Sequence, residues 1–177
     1  MKKFKAIMII ILSFIITYFL QVNLFSWFTI RGVSPNLFVG IVLLIGLFVG
    51  KKMGALFGAI FGFIIDCLIG KIIGPYTVLL SLVGLLGEYF DKNFSKDSLI
   101  SIIIMYMIST ALFEIGYYSF GCMKFDVDPQ ILRFIIILLV EIIYNTVLII
   151  LLYPIIKKAG YYIENIFKGK KLLTRYF

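Results

Sequence analysis

The chain contains no histidine and only two cysteines among its 177 residues. Without histidine it lacks the commonest metal ligand and the side chain that most readily moves protons near neutral pH. Cys67 and Cys122 match no metal-binding spacing, so a zinc-dependent membrane protease is a poor fit and no cofactor is expected. Both cysteines fall near the same ends of hydrophobic segments, and nothing in the sequence decides whether they pair. Charge is also scarce: Asp, Glu, Lys and Arg make up 15% of the chain, too little to clothe a soluble domain. No Pro/Ser-rich or repetitive linker divides it.

What fills the chain instead is apolar. Hydrophobic residues make up 62% and the mean hydropathy is +1.10. A membrane span takes about 20 apolar residues, and candidate spans fall at about 6–28, 35–50, 53–69, 75–90, 98–121 and 134–156. The expected fold is therefore all-α, a polytopic membrane protein built as a six-transmembrane-helix bundle. Residues 1–177 form a single integral membrane domain that ends in a basic tail over 157–177. The first hydrophobic stretch is too long for a secretory signal and lacks a small-x-small cleavage site, so it reads as an uncleaved span.

The net charge of +8 follows this topology. Lys2, Lys3, Lys5, Lys51, Lys52, Lys92, Lys96, Lys157, Lys158, Lys168, Lys170, Lys171 and Arg175 fall on one side of a six-span arrangement. Arg31, Lys71, Lys124 and Arg133 fall on the other. The positive-inside rule then puts both termini in the cytoplasm. Basic residues that track topology form no nucleic-acid groove, and no nucleic-acid partner is expected. The mixture of cations and apolar residues in the tail suits the membrane-lipid surface. The loop Glu88–Asp97 reads as a solvated connector, and the stretch Lys124–Pro129 as a turn before the sixth helix, short of a calcium loop.

Two features interrupt the hydrophobic runs. Glycine recurs at every fourth residue through Gly46, Gly50, Gly54, Gly58 and Gly62. Asp66 takes the next place, and Gly70 and Gly74 follow. Within the third span, Gly54, Gly58, Gly62 and Asp66 share one helix face, where small residues let another backbone approach. That face serves either packing within the bundle or docking of a separate protein's helix. Gly70, Gly74, Pro75 and Tyr76 then form a breaker-rich turn at membrane depth, with Gly free to take unusual backbone angles and Pro75 suited to a helix start. Asp66 is placed to accept bonds from the turn's amides or to pair with Lys71, with binding of a partner or ligand as the other reading.

The second feature is the pair of glutamates, Glu114 and Glu141, in the fifth and sixth spans. Thr110, Tyr117 and Tyr118 share a face with Glu114, and Asn145 lies one turn beyond Glu141. Ionised carboxyls in hydrocarbon cost several kcal/mol unless they neutralise, pair or face the interior. These outer-half polar groups, Glu114, Glu141 and Asn145, therefore bond across helix interfaces or line an outward-facing cavity, whose rim Arg31, Lys71 and Arg133 could neutralise.

Pro35-Asn36-Leu37, the glycine-rich hairpin, Gly58-x3-Gly62-x3-Asp66, Gly74-x-Tyr76 and Gly84-x2-Gly87 together resemble the MreD family of bacterial rod shape-determining membrane proteins. Motifs carry this over about residues 30–90, and length and hydropathy carry the rest. The family usually has an acid after the proline, where this chain has Asn36, so a role for charge there does not transfer. The resemblance implies a non-enzymatic scaffold in the bacterial plasma membrane, within the complex that directs peptidoglycan synthesis during elongation. The implied direct partner is MreC, with MreB, RodA and a class B penicillin-binding transpeptidase in the same complex. The family is also similar in structure to the membrane binding subunits of energy-coupling-factor vitamin transporters. That likeness implies an alternative, a solute-binding subunit with Glu114, Glu141 and Asn145 as ligand contacts.

Overall fold

A computed structural model describes residues 2–69 and 73–168. Among these residues the chain is all-helical. Its helices are α1 (Lys2–Phe19), α2 (Leu37–Val49), α3 (Lys51–Leu68), α4 (Pro75–Asn93), α5 (Leu99–Phe125) and α6 (Ile131–Phe167). Three segments, Lys3–Leu24, Leu99–Phe125 and Ile131–Phe167, are long and apolar enough to cross a membrane. α2 is apolar but only 13 residues long. Their outward faces are as hydrophobic as their inward ones: Leu12, Ile15 and Phe19 on α1, and Leu139, Ile143, Val147 and Leu151 on α6, are all exposed. A helix apolar all round belongs in lipid.

The buried positions follow the helical period. Ala6, Ile10 and Phe14 face inward on α1, as do Ile102, Met105, Tyr106, Ser109, Thr110 and Phe113 on α5. On α6 the buried line is Glu141, Asn145, Ile149 and then Gly160 and Glu164. The apolar core centres on α2, whose Val39, Val42, Leu43, Leu47 and Phe48 are nearly inaccessible.

The structure departs from the expected arrangement in four places. The first span closes early, because a π-helical turn at Leu20–Leu24 ends α1 before residue 28. The break between α2 and α3 is a single residue, Gly50, with φ +116°, not Lys51-Lys52. Only a residue without Cβ takes that conformation freely. The segment from Lys157 is not a separate surface tail, since α6 continues unbroken to Phe167. Gly160 there presses its Cα against the Phe48 ring, and a Cβ added to it would come 2.4 Å from that ring. Finally, the 88–97 connector is not merely solvated, as its ion pairs show below.

α3 and α4 make the most extensive helix contact in the bundle, and glycine is the reason. A Cβ on Gly58 would fall 2.4 Å from the Leu80 carbonyl oxygen, one on Gly62 2.4 Å from that of Tyr76, and one on Gly84 2.2 Å from that of Gly54. The ladder on α3 therefore meets α4 backbone to backbone, and Gly46 on α2 joins the same seam against Gly84 and Gly87.

Candidate functional site

At the α3–α4 turn, the chain folds back through Gly74, which has φ +125° and leads into Pro75 as the first residue of α4. The first turn of any helix leaves amides without intrahelical acceptors. Asp66, 1% exposed, supplies the acceptors from the neighbouring helix. Its Oδ2 accepts from the Gly74 amide at 2.9 Å, the Thr77 amide at 2.9 Å and the Thr77 hydroxyl at 2.7 Å. Its Oδ1 accepts from the Tyr76 amide at 3.1 Å. Tyr76 next packs its ring against Phe113 and Tyr117, with centroids 5.4 and 5.1 Å away, so the cap on α4 also seats α5. Of the turn residues, Gly70 and Lys71 lie outside the described residues, and with them the expected Asp66–Lys71 pair.

On the same end of the bundle, a second polar cluster gathers around Asn36. Its side chain caps α2, accepting from the Val39 amide at 3.4 Å, and donates to Glu114 Oε1 at 3.3 Å. Its amide donates to Asn145 Oδ1 at 2.9 Å, and its carbonyl accepts from the Tyr106 hydroxyl at 2.9 Å. Asn145 Nδ2 reaches Thr110 Oγ1 at 3.3 Å. Glu141, one turn before Asn145 on α6, is buried on the same side of the helix. Gln21 completes the seat, donating to the Pro35 carbonyl at 2.6 Å and accepting from the Leu37 amide at 3.1 Å.

Thus Glu114, Glu141 and Asn145 come together, while Asp66 serves a separate helix end. Both clusters tie together helix ends. The Asn36 side-chain amide donates to Glu114, a bond that an ionised acid at this position could not make. Gln21 and Tyr106 were missed. Each is a polar side chain in a largely apolar segment, but their partners lie 14 and 70 residues away. None of the three acids lines either of the two grooves that run beside α1. Cys67 and Cys122 are both free thiols.

Replacing Asn145 by Leu leaves the Asn36 amide buried without an acceptor and removes the bond to Thr110. The expected cost is about 1–3 kcal/mol, read as a lower melting temperature in detergent. A variant that melts with the wild type would show that this cluster bears no load.

At the opposite end, the α4–α5 connector binds the end of α6. Lys96 Nζ lies 2.8 Å from Asp91 and 2.6 Å from Glu164, while Lys168 Nζ lies 2.8 Å from Asp91 and 3.4 Å from Glu164. Lys168 also donates to the Leu47 carbonyl at the end of α2, at 3.3 Å. Tyr153 and Lys157 donate to the Asp97 carbonyl, and Tyr161 to its carboxylate.

Asp91 stands just past the fourth expected span. Burial raises its carboxyl, but hydrogen bonds from Lys168 and Lys96 more than offset that, leaving it below its ordinary value of 3.8. A depressed folded-state value contributes stability above the unfolded pKa, and that contribution is lost as pH falls through the folded value. Melting temperature in detergent should therefore decline from about pH 4 downward, and Asp91→Asn should remove part of that decline while lowering stability at neutral pH. An identical acid profile for the variant would take Asp91 out of this account.

A family model described as rod shape-determining protein MreD matches residues 1–160. The chain belongs to the MreD family. It is therefore a rod shape-determining membrane protein, from a family whose role is in cell shape and which is not known for enzymes. No curated protein and no solved structure matches the chain. The MreD match covers all of α1 to α5 and most of α6, so both polar clusters lie within it.

Proposed function

We propose that this MreD-family chain is a non-enzymatic scaffold of the cell-elongation complex, a single integral domain crossing the bacterial plasma membrane six times with both termini in the cytoplasm. It binds MreC directly, and MreB, RodA and a class B penicillin-binding transpeptidase belong to the same complex. The observation that carries this reading is how the acids inside the helices are used. Asp66 and Glu114 bond to the chain's own amide groups and Glu141 is buried within the bundle, so the acids inside the helices serve the bundle itself. The exposed apolar faces of α1, α5 and α6 remain for lipid and for a partner's span. Orientation rests on the cations: Lys52, Lys92, Lys96, Lys157, Lys158 and Lys168 gather at the end where α6 finishes, against Arg31, Lys124 and Arg133 at the other.

The transporter-subunit alternative would need Glu114, Glu141 and Asn145 to face a ligand, and each of them faces protein instead. One experiment separates the two readings: purification from native membrane in mild detergent, then mass spectrometry of stoichiometric companions. A single-span MreC-like protein is the expected companion. A coupling membrane subunit with paired ATPases would overturn the scaffold and revive the alternative.

A further inference from the structure

Between α1 and α2 the chain makes a small hairpin whose backbone is closed and whose side chains are open. The Trp27 amide donates to the Leu24 carbonyl at 3.1 Å, and the Ile30 and Val33 backbones exchange bonds of 2.9 and 3.0 Å. The Phe28 carbonyl accepts from the Tyr144 hydroxyl at 2.7 Å, and Ser26 turns its hydroxyl back onto the Asn23 carbonyl. Yet Trp27 is 87% exposed, Phe28 62% and Ile30 52%. Backbone groups bonded within the protein, beneath apolar side chains that face outward, suit a place where water is scarce.

The length of α1 says where that place is. The apolar segment Lys3–Leu24 has 22 residues, about 33 Å at the helical rise, against a hydrocarbon core about 30 Å thick. The hairpin that begins at Phe25 therefore emerges at the headgroup boundary, the layer where tryptophan gathers because its ring is apolar and its N–H polar. The tip carries a second signal. Arg31 and Gly32 have φ of +53° and +79°, the two positive angles of a type I′ turn, whose first position favours Asn, Asp or Gly. An arginine is held there against its backbone preference. It is exposed, a Cβ on Gly32 beside it would meet nothing within 4 Å, and among the described residues it has no ion-pair partner. A local rule broken at an exposed cation points to something outside the chain.

We propose that the Phe25–Val33 hairpin is an interfacial anchor, with Trp27 and Phe28 seated in the headgroup layer and Arg31 binding the phosphate of an acidic phospholipid. Guanidinium and phosphate match in charge and in hydrogen-bond geometry. The Phe25 ring packs edge-on against Tyr144, with centroids 6.3 Å apart, and together with the Phe28 bond this fixes the hairpin to α6. The anchor therefore acts on α1 and α6 together. Protein docking is the competing use of an exposed tryptophan and arginine, but it gives no role to the match between the length of α1 and the bilayer. The proposal needs only that α1 lies in a bilayer. It does not need MreC, so it and the scaffold reading can fail separately.

Trp27 is the only tryptophan in the chain, so its fluorescence reports this site alone. The test reconstitutes the full chain in phosphatidylcholine vesicles. Quenching should be strongest from a spin label attached near the lipid headgroup, and weak both from a label near the chain end and from aqueous iodide. Brominated phosphatidylglycerol, added at the same fraction as brominated phosphatidylcholine, should quench as if enriched about fivefold, the preference that one cation beside an anionic headgroup supplies. Arg31→Asn is the decisive variant, because Asn-Gly is a favoured type I′ pair. The turn and the melting temperature should hold while the preference for phosphatidylglycerol disappears. Free quenching of Trp27 by iodide, as a surface kept for a protein partner predicts, would overturn the anchor, and so would quenching strongest from the chain end. Equal quenching by the two brominated lipids in the wild type, or an undiminished preference in Arg31→Asn, would overturn the phosphate site.

Discussion

Gly58→Leu is expected to prevent assembly of the native bundle, with a cost above about 3 kcal/mol, beyond the ordinary range for an overfilled core. A clash between side chains can be relieved by rotation. Here even the first added carbon would lie 2.4 Å from the Leu80 carbonyl oxygen and 2.7 Å from its carbon, and backbone atoms in a helix cannot turn aside. The helices would have to separate along the whole seam, because Gly54 and Gly62 hold the same close approach one turn to either side. Total stability is about 5–15 kcal/mol for a typical domain, so such a loss shows as aggregation on size exclusion or a collapsed melting temperature. Gly121→Leu is the control: nothing lies within 4 Å of a Cβ there, and the change should fall within about 0.5 kcal/mol of neutral. If Gly58→Leu assembles and melts normally, α3 does not meet α4 as described.

That seam was partly legible from sequence. Glycine at every fourth residue is close to the helical repeat, so a face of small residues was evident without coordinates. What the face meets was not, because Gly84 and Gly87 on α4 have the same spacing signal as any short glycine pair, and pairing order is a tertiary property. Asp66 was readable for a related reason: an acid at the end of an apolar run, followed by Gly74-Pro75, marks a turn whose amides need acceptors. The Asn36 cluster was legible only in pieces. Glu114, Glu141 and Asn145 each stood out as polar among apolar neighbours. What joins Glu114 and Asn145 is Asn36, through its side-chain amide to the first and its backbone amide to the second, 78 and 109 residues away in sequence, and no local pattern encodes contacts that distant.

The basic end was misread for a physical reason. Lys157-Lys158 looks like the boundary of a span, since adjacent cations usually mark the headgroup region. Yet the inward stripe continues past them through Gly160, Ile163, Glu164 and Phe167, and the helix follows the stripe rather than the charge. The same continuation makes the 88–97 connector structural. Asp91 and Lys96 look like ordinary surface charges until Glu164 and Lys168 arrive from α6 to form a four-membered ion network. With side chains only 11–20% exposed, these pairs are shielded enough to fix how α6 sits on the ends of α2 and α4.

Asp66→Leu should be the most damaging single change outside the glycine seam. It removes the acceptor for the Gly74, Tyr76 and Thr77 amides and for the Thr77 hydroxyl. Each donor left buried and unpaired costs about 1–3 kcal/mol, and lipid offers no water to replace the lost bonds. The expected result is failure to accumulate in the membrane. Asp66→Asn is the discriminating variant. Its amide oxygen, placed at the Oδ2 position, still accepts from Gly74 and Thr77, while its amino group confronts the Tyr76 amide and loses one bond. A cost of about 1–2 kcal/mol follows, enough to lower the melting temperature and leave the fold intact. Thr77→Val loses the hydroxyl bond alone and should cost about 1 kcal/mol. Because Asn and Thr77 share one oxygen, the double variant should deviate from additivity, as groups in a common network do. If Asp66→Leu and Asp66→Asn both accumulate and melt like the wild type, Asp66 is not the cap of α4. If Asp66→Asn melts like the wild type but no longer co-purifies with an MreC-like protein, the carboxylate's charge is serving a partner, and the α3–α4 turn moves from scaffold to binding surface.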